Sequence, residues 1–207
     1  MNTKKNLLSL FAGGAVGVCL IAVGAIGVCL TLGFAQRARA AEYSEAEYGP
    51  LLAVLSKSKL TLADGITQAA ARAPETAISG KFELDDHKQL SLSVYTAEKG
   101  LDTDAEHNVL KELAGSPEGE RWSPEVEVFE DAAHLKRSAA QLTLMALSPH
   151  TLLDIIAKAG KEQPGTVFSI TPVVEHRQPQ FVVLVAAQGK VVALRYNLMT
   201  GESMKKG

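Results

Sequence analysis

Cysteine is almost missing from this sequence of 207 residues. The two that occur, Cys19 and Cys29, both lie within the first 40 residues. The rest of the chain therefore cannot form a disulfide, and no thiol is available there for catalysis or metal binding. The part after residue 40 is therefore expected to fold and function without disulfide bonds or reactive thiols.

An excess of positive charge is missing as well. The first 40 residues contain four of the 21 Lys and Arg residues and none of the 23 Asp and Glu residues, so the remainder has a formal net charge of −6. A protein that binds nucleic acid or an anionic lipid surface normally carries the opposite sign of charge. We therefore expect no nucleic-acid partner.

The residue patterns of common catalytic and cofactor sites are also missing. The five histidines are scattered, and there is no nucleophile elbow, phosphate-binding loop or dinucleotide fingerprint. Glu125 and Glu127 alternate with valines on a predicted strand and are expected to face water. The sequence favours a protein that is not an enzyme and has neither a cofactor nor a metal. The alternative is a metal-binding or hydrolytic protein that uses the polar loop Asp85–His87.

A long apolar segment is present at the N-terminus. No charged side chain occurs from residue 6 to residue 36, and the apolar run from residue 7 to residue 34 is long enough to cross a bilayer as a helix. Ala38 and Ala40 precede Ala41 in a pattern suited to signal-peptidase cleavage. Residues 1–40 are therefore either a membrane anchor or a cleaved export signal. Both alternatives place the remainder outside the cytoplasm, anchored to the membrane or released.

Residues 147–202 contain the signals of one helix followed by three strands. Ser148 and Gly160 are placed to begin and end the helix. The strands are predicted at 166–175, 180–187 and 190–197, and a two-residue Gln-Gly turn closes the last hairpin. Pro172 cannot donate a ladder hydrogen bond, so the first strand is expected to be bent or at an edge.

The same order of elements is predicted once before, within residues 60–131. Thr61 caps a helix, and strands follow at 77–84, 89–96 and 125–130. The insertion 98–122 separates the second strand from the third. A capping-box pattern at Thr103 followed by Val109, Leu110 and Leu113 predicts a helix within this insertion.

Three shorter segments complete the predicted organisation. Residues 41–59 are a linker with a short helix, residues 132–146 are a connecting helix, and residues 203–207 are a tail. The predicted fold class is α+β: an N-terminal membrane or signal helix followed by two related units, each with a helix on a three-stranded antiparallel sheet.

The second unit resembles the PepSY domain family in its helix, its three strands and its closing turn Asn197-Leu198-Met199-Thr200-Gly201-Glu202. The resemblance implies a non-enzymatic extracytoplasmic module that binds or regulates an envelope or secreted protein, such as a peptidase. Thr200, Gly201 and Glu202 are expected to shape the turn. Within the insertion, Trp122, Leu110 and Leu113 are the candidate partner-binding residues, with burial of Trp122 against the sheet as the alternative.

Overall fold

The computed structural model describes residues 45–71 and 74–204. The predicted membrane segment 7–34 and the predicted cleavage residues Ala38, Ala40 and Ala41 lie outside these ranges. Within them, no helix combines the length and the apolar composition that crossing a bilayer requires. All of the described residues therefore follow the apolar N-terminal segment in the chain.

Four helices and seven strands make up the described residues. The helices are α1 (Glu45–Leu55), α2 (Leu62–Ala69), α3 (Ala132–Leu147) and α4 (Leu152–Glu162). The strands are β1 (Thr76–Leu84), β2 (Leu90–Ala97), β3 (Leu110–Gly115), β4 (Glu125–Val128), β5 (Thr166–Glu175), β6 (Gln178–Ala187) and β7 (Lys190–Asn197). This confirms a mixed α+β fold.

All seven strands belong to one antiparallel sheet in the order β4-β3-β2-β1-β5-β6-β7. The two predicted units thus share a single sheet. The pairing between β1 and β5 at its centre is confined to Gly80 with Ile170 and Lys81 with Ser169. Beyond these two pairs, no strand within residues 45–71 and 74–204 pairs with the facing sides of β1 and β5.

Helices cover both faces of the centre of the sheet. A Cβ on Gly80 would lie 3.2 Å from Leu62 and 3.5 Å from Ile66, both in α2. The neighbouring Ser79 instead donates its hydroxyl hydrogen to Oε1 of Gln141 in α3, over 2.8 Å. Because adjacent strand residues point to opposite faces, α2 and α3 lie on opposite sides of β1.

Two helices begin with the same capping box. Thr61 of α2 and Thr151 of α4 each accept a hydrogen bond from the backbone N–H of an aspartate three residues on, and that carboxylate accepts the threonine N–H in return. The prediction that Ser148 caps α4 is wrong, because Ser148 ends α3 and its hydroxyl donates to the carbonyl of Leu198. Gly160 lies inside α4, which continues to Glu162.

Several features recur at a spacing of 90 residues. The capping boxes begin at Thr61 and Thr151. The first strand after each box is interrupted by a bulge, in β1 between Ala77 and Ser79 and in β5 between Val167 and Ser169. The central pair Gly80 with Ile170 has the same spacing.

The helix predicted within the insertion is wrong. Leu110 and Leu113 lie on β3, which pairs along its length with β2. The carboxylate of Asp104 accepts the N–H of His107 and contacts the His107 ring, so it closes a turn instead of starting a helix. Pairing with a neighbouring strand outweighs the weak local preference of this segment for helix. The strand predicted at 125–130 is the shorter β4.

The capping boxes lead to a first prediction. We expect Asp154→Ala to lower the free energy of unfolding by about 1 kcal/mol at pH 7, because the start of α4 loses its cap. Hydrogen bonds from Thr151 hold the pKa of Asp154 below its ordinary value. The stabilisation is therefore present above the unfolded pKa of about 3.9 and is lost as pH falls through the folded pKa.

Urea unfolding of Asp154→Ala and the parent at pH 7 and at several acidic values tests this prediction. Asp102→Ala, which removes an exposed aspartate between β2 and β3, is the control. A stability difference that stays constant over the whole acid range would contradict the assignment.

Candidate functional site

The C-terminal half of β5 has an open edge. Thr171–Glu175 pairs with β6 on one side, but no strand of the described ranges pairs with it on the other, because β1 stops pairing after Ile170. Pro172 lies in this half, where the lack of an N–H is tolerated. The expectation that Pro172 marks a bend or an edge agrees with this placement. The open edge offers backbone donors and acceptors to another extended chain.

A groove of about 640 Å³ runs beside this edge, between β5 and α3. Its lining is mostly apolar and comprises Arg137, Ala140, Gln141, Thr143 and Leu144 of α3 with Thr171, Pro172, Val173 and Val174 of β5. Val174 is 60% exposed. The groove therefore combines exposed apolar surface with an unpaired strand edge.

The position of α3 determines the shape of the groove. Asp131 caps the helix by accepting the N–H groups of Ala133 and His134, each at 3.0 Å. Further along, the buried Gln141 is held against β1 by the hydroxyl of Ser79. Leu142 and Met145 are buried beside it, which fixes the helix and leaves Ala140 exposed toward the groove.

A small recess of about 130 Å³, lined mainly by polar residues and called here the polar recess, adjoins the groove and shares Arg137, Gln141 and Thr171 with it. Ser79, Gly80, Lys81 and Tyr95 complete its walls. Burial, together with the nearby carboxylates of Glu112 and Glu83, raises the pKa of Tyr95 well above its ordinary value, so the phenol stays neutral.

The recess contains an unpaired cation. Lys81 forms an ion pair with Glu83, whereas Arg137 has no carboxylate within 4 Å among residues 45–71 and 74–204. A guanidinium presents donors whose spacing matches a carboxylate. The arrangement can therefore hold an apolar extended segment in the groove and a carboxylate beside Arg137.

Sequence reasoning missed this site. The edge depends on where β1 and β5 stop pairing, and that limit has no signature in the sequence. The available signals were Pro172 within a strand and the exposed Ala140, which lies outside the buried stripe of α3.

The three candidate residues of the insertion pack inward. Leu110 and Trp122 are 3% and 7% exposed, and Leu113 is partly buried against the core. The indole N–H of Trp122 donates to the carbonyl of Gly115 over 3.3 Å. The structure brings these side chains into the first half of the fold and leaves little of them accessible.

The turn at Thr200, Gly201 and Glu202 packs against the start of α4. Gly201 has a φ of +62°, and its N–H donates to the carbonyl of Asn197 over 2.8 Å. The ammonium of Lys158 donates to the Gly201 carbonyl over 2.6 Å. These contacts join the end of β7 to α4, so the turn has a structural role.

A second prediction concerns this glycine. We expect Gly201→Ala to destabilise the protein by about 2 kcal/mol, because the new Cβ would lie 2.7 Å from Nε2 of His150 in a backbone conformation that L residues avoid. Gly189→Ala is a matched control, since Gly189 also has a positive φ, +75°, but a Cβ there meets nothing within 4 Å.

Thermal and urea unfolding of the two alanine variants separate the contact with His150 from the backbone cost. Gly189→Ala should lose about 1 kcal/mol, which is the backbone cost alone. Equal losses in the two variants would show that the His150 contact contributes nothing.

The loop Asp85–His87 uses its first carboxylate to close the hairpin. Oδ1 of Asp85 accepts the N–H of His87 over 2.9 Å and the N–H of Gln89 over 2.7 Å. The part of the chain that the structure describes contains no group of three or more His, Cys, Asp and Glu side chains placed to hold a metal ion.

Comparisons with known proteins leave the family of this chain open. No protein-family model matches it, and no curated protein does. A solved structure with a similar backbone is the crystal structure of a "putative lipoprotein" from Clostridium difficile 630, with a TM-score of 0.38 and 15% sequence identity. The match covers 72% of this chain and 92% of the other.

Proposed function

We propose that this protein is a non-catalytic extracytoplasmic module that binds an extended segment of an envelope or secreted protein, such as a peptidase. The observation that carries the proposal is the open half of β5 beside an exposed apolar groove. An extended segment can add to a strand edge through main-chain hydrogen bonds while its side chains fill an adjacent groove.

The polar recess indicates which chemical groups the bound segment should contain. Arg137 lines both the groove and the recess and has no carboxylate partner among the described residues. A peptide C-terminus or an acidic side chain next to an apolar stretch would supply one. The segment that fits is therefore apolar and extended, with a carboxylate from its C-terminus or from an acidic side chain beside Arg137.

The proposal includes two copies of one structural unit, which the repeated order of predicted elements indicates. The repeated capping boxes and bulges support it. The same 90-residue spacing relates the strand residues of the groove, 171–174, to residues 81–84, which line a recess of about 310 Å³ together with α1. In this interpretation α3 is the counterpart of α1, and each unit contains two helices.

The extracytoplasmic location rests on the first 40 residues, as an anchor or as a cleaved signal. Cell fractionation with N-terminal sequencing separates the two forms: a chain starting at Ala41 is the cleaved form, and an intact N-terminus in the membrane fraction is the anchored form. Recovery of the intact chain from the cytoplasmic fraction would contradict the location.

The metal-binding or hydrolytic alternative has less support. Oδ1 of Asp85, one of the two carboxylate oxygens of this residue, already accepts two backbone N–H groups of its own hairpin. A ligand at that oxygen would compete with the bonds that close the turn between β1 and β2.

The binding proposal is tested with peptides of defined chemistry. A fluorescent six-residue peptide, Ser-Val-Thr-Val-Leu-Val with a free C-terminal carboxylate, is titrated against the purified full chain, beside the same peptide with an amidated C-terminus. We expect the carboxylate form to bind about tenfold more tightly, which corresponds to 1.4 kcal/mol.

Matched variants locate the contact. Ala140→Arg places a long side chain in the groove and should weaken binding at least about tenfold. Ala157→Arg, at an exposed position of α4 away from the groove, should leave binding unchanged. Arg137→Gln should remove the preference for the carboxylate, whereas Lys136→Gln should keep it. Equal binding by Ala140→Arg and Ala157→Arg would reject the groove as the site.

A further inference from the structure

The two outer edges of the sheet differ. On β7, Ser203 forms a bridge to Tyr196, and the N–H of Met204 donates to the carbonyl of Arg195 over 2.8 Å. The C-terminal residues therefore cover part of that edge. At the other end of the sheet, β4 pairs with β3 on one side, and no described strand pairs with its outer side.

The hydrogen-bond pattern shows which groups of β4 are open. The N–H of Phe129 donates to the carbonyl of Leu110 over 3.0 Å, in register with the pairing of β3 and β4. In an antiparallel pair the residues that bond to the partner alternate with those that do not. Glu125 and Glu127 therefore bond inward to β3, and the N–H and C=O groups of Val126 and Val128 point outward.

The side chains of β4 divide between the two faces of the sheet. Val126 and Val128 project on one face and are 58% and 52% exposed. Glu125 and Glu127 project on the other face, where Glu127 lies opposite Glu112 of β3. The same face carries a recess of about 390 Å³ whose other carboxylates are Glu83, Asp85 and Asp86. Its lining includes no Lys or Arg, although Glu83 is already paired with Lys81 outside the recess.

We propose that the outer edge of β4 accepts an extended segment of a partner protein in which basic and apolar side chains alternate. Such a segment bonds to the outward groups of Val126 and Val128. Its alternation places Lys or Arg over the carboxylate face and apolar side chains beside the two valines. This surface is separate from the groove at β5, and its chemistry is opposite in charge.

A second copy of this chain is the wrong occupant. Pairing β4 with β4 would bring Glu125 and Glu127 toward the same glutamates of the other copy, and like charges across a strand pair are destabilising. Charged residues on an edge strand commonly serve only to prevent such pairing. The experiment must therefore separate specific strand addition from simple protection of the edge.

The probes are two peptides of one composition titrated against the full chain: Lys-Val-Lys-Val-Lys-Val and the block arrangement Lys-Lys-Lys-Val-Val-Val. We expect the alternating peptide to bind at least about tenfold more tightly, because only alternation matches both faces. Equal binding of the two peptides would overturn the proposal and leave general charge attraction.

Variants of the protein test the edge and the charge separately. Val126→Pro removes one outward N–H without removing a bond to β3 and should weaken binding at least about tenfold. Glu125→Gln with Glu127→Gln should also weaken it, whereas the exposed pair Glu106→Gln with Glu118→Gln, which removes the same charge elsewhere, should not. Unchanged affinity for Val126→Pro would overturn the proposal.

A peptide variant keeps the test valid if Val126→Pro does not fold. N-methylation of alternate peptide nitrogens removes the donors needed for strand addition and leaves the protein intact. Alternate nitrogens can be methylated in two ways, which give two peptides that differ in methylation register. We expect one of these two peptides to lose its binding to the unmodified protein. Binding that survives methylation in both registers would also overturn the proposal. Ala140→Arg should bind the alternating peptide normally, so failure at β5 and failure at β4 are distinguishable.

Discussion

Lys111→Met is expected to lower the free energy of unfolding by about 3 kcal/mol, because it leaves the carboxylate of Glu75 buried without a counter-charge. Nζ of Lys111 lies 3.3 Å from Glu75 and 3.0 Å from Glu98, and the Glu75 side chain is 7% exposed. The hydroxyl of Thr96 also donates to Glu75, over 2.7 Å. This cluster holds the start of β1 to β2 and β3.

The pH dependence of the ion pair follows from Lys111. Burial alone would lower the pKa of Lys111, but hydrogen bonds to Glu98 and Glu75 outweigh burial and raise it. The stabilisation is therefore complete below the unfolded pKa of about 10.4 and is lost only as pH rises through the folded pKa. Between pH 6 and pH 9 the difference between Lys111→Met and the parent should be constant.

Urea unfolding at pH 7 measures the effect. Lys190→Met, at an exposed position in β7, is the control and should change stability by less than about 0.5 kcal/mol. The double variant Glu75→Gln with Lys111→Met should recover more than half of the loss, because the buried charge is then absent. A double variant as unstable as Lys111→Met alone would show that the cost lies in packing.

Phe168→Ala is expected to cost about 4 kcal/mol and to loosen one helix selectively. Phe168 is 1% exposed at the bulge of β5, and its ring centroid lies 5.6 Å from that of Tyr48 in α1. Truncation leaves a cavity and removes this contact with α1. The amides of α1 should therefore lose hydrogen-exchange protection before the rest of the sheet does.

Phe181→Ala is the matched comparison for this effect. Phe181 is equally buried, in β6, and pairs with Pro172 and Tyr196. We expect a similar loss of global stability from urea unfolding but no selective loss of protection in α1. If both variants expose the α1 amides to the same degree, Phe168 has no special part in holding this helix.

The sequence was most informative where local signals and burial agree. The alternation of Leu90, Leu92 and Val94 with serines predicts β2, and the two-residue break at Gln188-Gly189 predicts the hairpin of β6 and β7; both are confirmed. The start of α4 was displaced by three residues because Ser148 and Thr151 are both good caps. In the structure the Ser148 hydroxyl bonds to the turn after β7, and Thr151 is the residue that caps α4.

The features that the sequence did not predict depend on pairing between residues that are far apart in the chain. Leu110 and Leu113 have helical spacing, but β2 presents an open edge on which the segment forms β3. The groove depends on the two-pair contact between β1 and β5, which brings together residues about 90 positions apart. Neither Arg137 nor Val174 is unusual in its local sequence, so only their placement side by side identifies the site.

Backbone hydrogen exchange of the full chain, with and without the C-terminal carboxylate peptide, tests the central claim most directly. Addition of the peptide to the open edge should slow the exchange of amides within Thr171–Glu175 and should not slow it in Ala140→Arg. Unchanged exchange in this segment at a peptide concentration that saturates binding would contradict the groove at β5 as the binding site.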